Sequence, residues 1–176
     1  MDLHAHYGAC GRIGRRSLLI GAGAMAGLTA FRPTLLRAAG GNYEAMLLSC
    51  MDPRMQEPVR DYLAKRGLTG KYSQFTFAGA ALGVVAPKFS DWHKTFWDNL
   101  AASIQLHNLK SVIAIDHRDC GAAKIAYGEK KVATPDLETE VHRAALAEFR
   151  KESTKRHPKL AVETMLMALD GSVVTL

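Results

Sequence analysis

The chain of 176 residues has little of what several protein classes require. It holds three cysteines, too few for the disulfide framework that stabilises many small secreted domains. No apolar stretch reaches the roughly 20 residues that a membrane-spanning helix needs. Internal repeats and low-complexity linkers are also absent from the sequence. These absences argue against a disulfide scaffold and a repeat protein, and they favour one ordinary globular domain.

The positive charge of the chain is concentrated near its beginning. The formal net charge is +6, but residues 1–40 hold five of the 23 basic residues and one acid, Asp2. The remainder carries 18 basic and 16 acidic residues, with no arginine-rich run among interleaved aromatics. We therefore expect no nucleic-acid partner for the domain.

The first 40 residues resemble a twin-arginine export signal. The pair Arg15-Arg16 is followed at once by a weakly apolar, glycine-rich stretch, Leu18–Phe31, and small residues suited to cleavage lie at 38–40. The alternative is a buried N-terminal helix, which the glycines disfavour. The sequence therefore predicts a leader at 1–40, a single domain at 41–176, a periplasmic location and no stable membrane span after the leader is removed.

Apolar runs alternate with helical patterns along the rest of the chain. This alternation predicts an α/β fold: a mostly parallel sheet with helices on both faces, in three layers, and a small C-terminal hairpin turning at Asp170-Gly171. The predicted strands are Ala45–Ser49, Lys71–Phe77, Ser111–Ile115, Thr164–Leu169 and Val173–Leu176. Helices are predicted after Pro58, after a capping Ser90, through Tyr127 and after Thr134, with a small-residue loop at Ala78–Gly83.

Two short segments carry most of the residues capable of chemistry. Cys50-Met51-Asp52-Pro53-Arg54 follows the first apolar strand, and His117-Arg118-Asp119-Cys120-Gly121 follows the third. Ligands bind at the carboxyl ends of the strands in an open parallel sheet. Two thiols and an imidazole brought to that edge are three ligands of a tetrahedral zinc site, with a carboxylate and a guanidinium beside it.

These two segments resemble the motifs of the β-class carbonic anhydrases, Cys-x-Asp-x-Arg and His-x-x-Cys-Gly, each placed after a strand. The resemblance extends from about Tyr43 to the C-terminus. It implies that Cys50, His117 and Cys120 bind Zn²⁺, and that Asp52 and Arg54 form the pair beside the metal. It also implies reversible hydration of carbon dioxide to bicarbonate by a zinc-bound hydroxide, and a homodimer or larger assembly.

Asp52 has two roles under this resemblance. It can ligate the zinc as a fourth ligand and close the site. Alternatively, Arg54 holds the carboxylate away from the metal, where one oxygen accepts a hydrogen bond from the nucleophile. The second arrangement is the active one, so Arg54 is expected to keep the site open.

The sequence also departs from the family pattern. The segment Thr76-Phe77-Ala78-Gly79 keeps only Ala-Gly of the usual Arg-Asn-Ala-Gly, and Asp116 replaces the usual glycine before the histidine. Hydrolysis of carbon disulfide or carbonyl sulfide and a catalytically silent zinc-binding protein therefore remain alternatives. A Cys50–Cys120 disulfide is the alternative to metal binding, and a surface ion pair is the alternative for Asp52 and Arg54.

Other patterns predict structure only. Trp92, Phe96 and Trp97 share one helical stripe and are expected in the core or at a subunit interface. Another apolar stripe is expected along the helix after Thr134, and four further histidines of the domain are expected in solvent. The stripe comprises Leu137, Val141, Ala145 and Phe149, and these histidines are His93, His107, His142 and His157.

Overall fold

Five strands form a single sheet in the computed structural model, which describes residues 41–176. The strands are β1 (Ala45–Cys50), β2 (Tyr72–Phe77), β3 (Ser111–His117), β4 (Ala161–Met167) and β5 (Val173–Thr175). They lie in the order β2-β1-β3-β4-β5, with β1 to β4 parallel and β5 antiparallel to β4. The predicted C-terminal hairpin is confirmed, and the Asp170 side chain closes its turn by accepting hydrogen bonds from Ser172.

Helices connect the parallel strands and cover both faces of the sheet. They are α1 (Gln56–Lys65), α2 (Ala81–Val85), α3 (Ser90–His107), α4 (Gly121–Tyr127) and α5 (Pro135–Arg156). Val59 and Leu63 of α1 pack on the face that Leu47 and Ile113 present. The opposite face, which includes Leu48, Val112 and Ala114, packs against α2, α3 and α5. The predicted three-layer α/β fold is therefore confirmed.

Several predicted boundaries shift in the structure. Strand β3 continues to His117, because its pairing with β4 runs on to Met167. The small-residue loop is shorter than predicted, since the chain enters α2 at Ala81. Ser90 is the first residue of α3 and not its cap, because the preceding Phe89 occupies the capping position without a side-chain bond.

Helix α5 turns a different face to the core than its apolar residues predict. Thr134 caps the helix by accepting a hydrogen bond from the Leu137 amide at 3.3 Å. Leu137 is 44% exposed, whereas Glu138 is 7% and His142 0% exposed. The prediction of a solvated His142 is therefore wrong, and the apolar stripe is buried at Ala145 and Phe149, partly buried at Val141 and exposed at Leu137. The reason is that Glu138 and His142 find polar partners inside the domain, described below.

The aromatic stripe of α3 divides between core and surface. Phe96 and Trp97 are buried in the core that α3 forms with the sheet, α2 and α5, whereas Trp92 is 41% exposed. The predicted leader at 1–40 lies outside the described residues. Within residues 41–176, no helix combines the length and the hydropathy that crossing a membrane would require.

Candidate metal centre

Cys50, His117 and Cys120 converge at one edge of the sheet. Cys50 is the last residue of β1, His117 is the last residue of the adjacent parallel strand β3, and Cys120 immediately precedes α4. Because parallel strands end at the same edge, the two strand ends place their side chains together. One ligand atom from each residue lies within 4.8 Å of the other two. Two ligands at about 2.0–2.3 Å from one tetrahedral ion lie about 3.3–3.8 Å apart, so the three atoms are near enough to share one ion after a small inward shift.

The imidazole of His117 has the arrangement of a metal ligand. Its Nδ1 lies 2.8 Å from the Arg118 carbonyl oxygen, to which it donates. The Nε2 atom is then left with a free lone pair, and it is buried without a hydrogen-bond partner among the described residues. A ring nitrogen that donates to a carbonyl fixes the tautomer in which the other nitrogen binds a metal. The orphaned Nε2 therefore fits a metal ion placed between it and the two sulfurs.

The two cysteines form no disulfide, and a hydrogen bond between their sulfurs shares one proton. The pKa of Cys50 is lowered to about 4, mainly by a hydrogen bond from Cys120. Burial acts against this shift, whereas hydrogen bonds from His117 and the Gly79 amide add to it. The same hydrogen bond, together with burial, raises the pKa of the Cys120 thiol. Burial by itself lowers the pKa of His117. The hydrogen bond with the Cys50 thiolate and its negative charge have the larger combined effect, so the pKa of this imidazole is raised above its ordinary value. A bound cation would take the place of these shared protons.

Asp52 and Arg54 form a bidentate pair beside these three residues. The guanidinium donates from Nη2 to Asp52 Oδ2 at 2.7 Å and from Nε to Asp52 Oδ1 at 3.0 Å. The Arg54 amide also donates to Asp52 Oδ1, at 2.9 Å, as the chain turns after β1. The hydrogen bonds from Arg54 lower the pKa of Asp52 to about 2. Asp52 Oδ2 is 4.0 Å from His117 Nε2, so the carboxylate lies next to one of the three candidate ligand atoms.

Arg54 also contacts the second motif, through a residue that the sequence analysis did not single out. Its Nη1 donates to Asp119 Oδ2 at 2.8 Å, and its Nη2 donates to the Asp119 carbonyl at 3.1 Å. Lys124 pairs with the other carboxylate oxygen of Asp119 at 2.6 Å. The two cations lower the pKa of Asp119 to about 2. Asp119 stands between His117 and Cys120 in the motif, but its spacing alone does not indicate a contact with Arg54.

The buried Glu138 holds the turn that carries His117 and Cys120. Its Oε1 accepts a hydrogen bond from the Asp119 amide at 2.5 Å, and its Oε2 pairs with Arg118 at 3.1 Å. Asp119 itself adopts a left-handed conformation, with φ at +54°. A non-glycine residue adopts this conformation at some cost, and it persists where surrounding contacts hold it. The contacts with Glu138 and Arg54 supply that restraint.

An apolar hollow opens beside the site. It measures about 320 Å³ and is lined mainly by Met51, Phe77, Ala78 and Trp92. Met51 follows Cys50 directly and is 64% exposed. None of the three candidate ligands lines the hollow, whose lining suits a small molecule without charge.

Comparison with known protein families agrees with this geometry. Residues 41–147 match the sequence model of a family described as "Putative carbonic anhydrase". An uncharacterized protein of Rickettsia bellii (strain RML369-C) is 36% identical over 128 residues, which cover 73% of this chain and 78% of that protein. A second uncharacterized protein, from Rickettsia conorii (strain ATCC VR-613 / Malish 7), is 35% identical over 128 residues, covering 73% and 69%.

Solved structures with a similar fold are β-carbonic anhydrases. The β-carbonic anhydrase CcaA superposes with a TM-score of 0.55 at 13% identity, covering 77% of this chain and 80% of that one. A structure from a study of two tetrameric β-carbonic anhydrases of the filamentous ascomycete Sordaria macrospora gives 0.53 at 13% identity, covering 79% and 83%. At such low identity these similarities establish the fold alone.

Proposed function

Because this chain belongs to the family described as "Putative carbonic anhydrase", we propose that it is a zinc-dependent enzyme that interconverts carbon dioxide and bicarbonate. The observation that carries the proposal is the buried, unpartnered Nε2 of His117, grouped with two cysteine sulfurs and 4.0 Å from Asp52 Oδ2. Three protein ligands that leave a fourth position open are typical of catalytic zinc sites, since structural sites are closed by four.

Cys50, His117 and Cys120 would hold the zinc. Two thiolates and a neutral imidazole balance the charge of Zn²⁺, and soft sulfur with imidazole nitrogen is a donor set that this ion favours. Zinc bound there supplies a Lewis acid that lowers the pKa of a water molecule toward neutrality. The Arg118 carbonyl, which accepts from His117 Nδ1, keeps the imidazole oriented toward the ion.

Asp52 and Arg54 would orient the attacking water. The guanidinium holds both oxygens of the Asp52 carboxylate, so it restrains the carboxylate from swinging onto the metal. The position of Asp52 Oδ2 near His117 Nε2 suits it to accept a hydrogen bond from the water. Arg54 is thereby the residue that keeps the fourth position open to water.

Carbon dioxide suits the apolar hollow that Met51 lines just after the end of β1. The molecule is small, uncharged and without hydrogen-bond donors, and the hollow is lined mainly by Met51, Phe77, Ala78 and Trp92. Carbon disulfide and carbonyl sulfide share these properties, so the substrate assay has to include them. Hydrolysis of a sulfur analogue without carbon dioxide hydration would replace the proposed substrate while leaving the zinc site in place.

The decisive experiment combines metal analysis with a carbon dioxide hydration assay across pH. We expect about one zinc per chain in the purified protein. Cys120→Ser should lose the zinc and the activity, because a neutral hydroxyl replaces a thiolate ligand. Ala123→Ser places the same hydroxyl at a neighbouring buried position and should retain both. Metal-free wild-type protein with a Cys50–Cys120 disulfide after anaerobic preparation would contradict the proposal, and zinc-loaded protein with no activity would indicate a silent zinc-binding protein.

We further propose that residues 1–40 are an export leader and that the domain at 41–176 works in the periplasm. Twin-arginine export carries folded proteins, so zinc would be bound before export. Arg15→Lys combined with Arg16→Lys should block delivery to the periplasm without affecting folding. Arg32→Lys combined with Arg37→Lys is the matched control and should leave delivery unchanged. Undiminished export of the first double variant would contradict this assignment.

A further inference from the structure

Asp116 and His142 form a buried polar pair that the proposed catalytic mechanism does not use. Asp116 lies on β3 directly before His117, and His142 lies on α5. Their side chains are fully buried, and His142 Nδ1 is 2.8 Å from Asp116 Oδ2. Burying two such groups costs free energy unless their hydrogen bonds are made. The role of the pair therefore depends on the other hydrogen bonds that Asp116 makes.

The second oxygen of Asp116 holds the loop that follows β2. Asp116 Oδ1 accepts a hydrogen bond from the Ala81 amide at 2.9 Å, within the buried interior. The loop just before Ala81 is strained, because Ala80 has a positive φ of 47° with ψ at −121°. Such a backbone conformation costs free energy and persists only where the surroundings determine it. The bond from Ala81 to Asp116 is one of these determinants.

The same loop donates a hydrogen bond to a candidate metal ligand. The Gly79 amide lies 3.3 Å from Cys50 Sγ and points its N–H at the sulfur. Gly79 also has a positive φ of 79°, and a Cβ there would be 3.0 Å from that of Ala122. The direction of this N–H thus depends on a tight loop conformation that ends at Ala81.

We propose that His142 is a positioning residue, which holds the Asp116 carboxylate so that the loop at 78–81 keeps the Gly79 N–H aimed at the Cys50 sulfur. With Nδ1–H donating to Oδ2, the carboxylate is fixed with Oδ1 toward the Ala81 amide. Without that donor, the carboxylate would be buried with one oxygen unsatisfied and would be free to rotate. The contacts run continuously from His142 through Asp116 and the loop to Cys50.

The consequence for the metal centre rests on the proposed zinc function. A hydrogen bond to a thiolate draws electron density from the sulfur and so tunes what it donates to the metal, as outer hydrogen bonds do in metal sites generally. The glycine usual before the histidine in the β-class motif has no side chain for this contact. In this chain the Asp116–His142 pair provides the restraint on the loop.

The test compares His142→Leu with His142→Asn by amide hydrogen exchange in the full chain. The two side chains have the same size and branching, but only asparagine retains a donor near the position of Nδ1. His142→Leu should speed exchange of the Ala81 amide by about tenfold, as expected from weakening one buried hydrogen bond to a charged acceptor. His142→Asn should restore slow exchange. If the leucine variant leaves Ala81 exchange unchanged, or asparagine behaves as leucine does, His142 is not a positioning residue.

A second measurement reads the effect at the sulfur. In cobalt-substituted protein, the sulfur-to-cobalt charge-transfer band should shift in His142→Leu and return in His142→Asn. A band unaffected by either variant would overturn the link to Cys50. If His142→Leu does not fold, His142→Gln takes its place, because glutamine fills much of the imidazole volume but places its amide near the position of Nε2 and not of Nδ1. It should show the same faster Ala81 exchange, and unchanged exchange would again overturn the proposal.

The exchange experiment needs neither zinc nor substrate. Faster Ala81 exchange in a protein that binds no zinc would contradict the proposed function and leave the positioning role intact. Normal zinc binding and activity together with unchanged Ala81 exchange in His142→Leu would support the proposed function and contradict the positioning role. The two failures are therefore distinguishable.

Discussion

Arg54 links two segments that lie 65 positions apart in the chain, because its guanidinium donates to both Asp52 and Asp119. Its hydrogen bonds to the two carboxylates raise the pKa of Arg54 further above its ordinary value, so it stays charged. A planar guanidinium with donors on two sides suits this bridging position better than an ammonium group does. The side chain itself is 45% exposed. Its importance is therefore expected to lie in orientation and not in stability, since exposed ion pairs contribute little to stability.

Arg54→Ala should reduce carbon dioxide hydration far more than zinc content. Without the guanidinium, Asp52 is free to move onto the metal and displace the water, while Cys50, His117 and Cys120 remain in place. We expect activity to fall by about 10- to 100-fold or more, the range seen when outer partners of metal sites are removed. Raising the pH should rescue little, because the carboxylate stays ionised. Arg60→Ala, which breaks the exposed pair of Arg60 with Asp61, is the control. Near wild-type turnover of Arg54→Ala would show that Asp52 and Arg54 form only a surface ion pair.

Cys50 should react as a thiolate in metal-free protein at unusually low pH. The hydrogen bond from Cys120 lowers its pKa from 9.0 to about 4. The fraction ionised, and hence the alkylation rate by iodoacetamide, should rise through a midpoint near pH 4 and stay flat above it. Because this pKa is depressed on folding, its contribution to stability is complete above about pH 9 and is lost as the pH falls toward 4. Cys120→Ala should move the midpoint upward. A wild-type midpoint near 9 would contradict the shared proton.

At the scale of elements, the close approach of α2 to the loop after β2 shapes the site. Gly83 lies in α2, and a Cβ there would collide with the Ala78 carbonyl oxygen and approach the Phe77 ring to 2.8 Å. The absence of a side chain at Gly83 thus lets the helix lie against the segment that contacts Cys50. This is a packing requirement, since Gly83 does not have a positive φ.

Gly83→Ala should destabilise the domain by about 1–3 kcal/mol, as overpacking of a tight interior does. Urea unfolding of the wild type and the variant measures this difference. Gly121→Ala provides the control, because no atom lies within 4 Å of a Cβ at Gly121 and its φ is ordinary. It should change the free energy of unfolding by less than about 1 kcal/mol. Equal effects of the two substitutions would contradict the steric account.

At the scale of the whole molecule, apolar surface remains exposed around the hollow beside the site. Met51 is 64% and Trp92 41% exposed, and the Trp92 ring stacks on Phe89 with centroids 4.5 Å apart. Exposed apolar patches next to a cleft are typical of subunit interfaces. We therefore propose that this surface is covered by a second copy of the chain.

Sedimentation at micromolar concentration should give at least a dimer. Trp92→Lys should shift the sedimentation toward that of a monomer, because a charge would be buried at the interface. Leu106→Lys is the matched control, since Leu106 is also exposed on α3 but is not among the residues lining the hollow. An active monomer of the wild-type protein at this concentration would contradict the assembly and leave the zinc site unaffected.

The sequence by itself determined the sheet and the grouping of the three candidate ligands. Apolar strands alternating with helices indicate a parallel sheet, and all parallel strands end at one edge. Placing Cys50 after one strand and His117 and Cys120 after another is then enough to bring them together. The order of strands and candidate ligands along the chain is sufficient for this grouping, because it does not depend on where the helices end or on the course of the loops. Residues 1–40 stay a prediction, as they lie outside the described part of the chain.

Only the tertiary structure decided which polar residues support that site. Glu138 and His142 lie on the same face of α5 as Ala145 and Phe149, but polar side chains are ordinarily expected in solvent. They are buried because the fold supplies partners from distant parts of the chain, the turn at 118–119 for Glu138 and Asp116 for His142. The same holds for Arg54 with Asp119 and for Gly79 with Cys50. Most buried polar groups have a hydrogen-bond partner, and packing, not local sequence, brings those partners together.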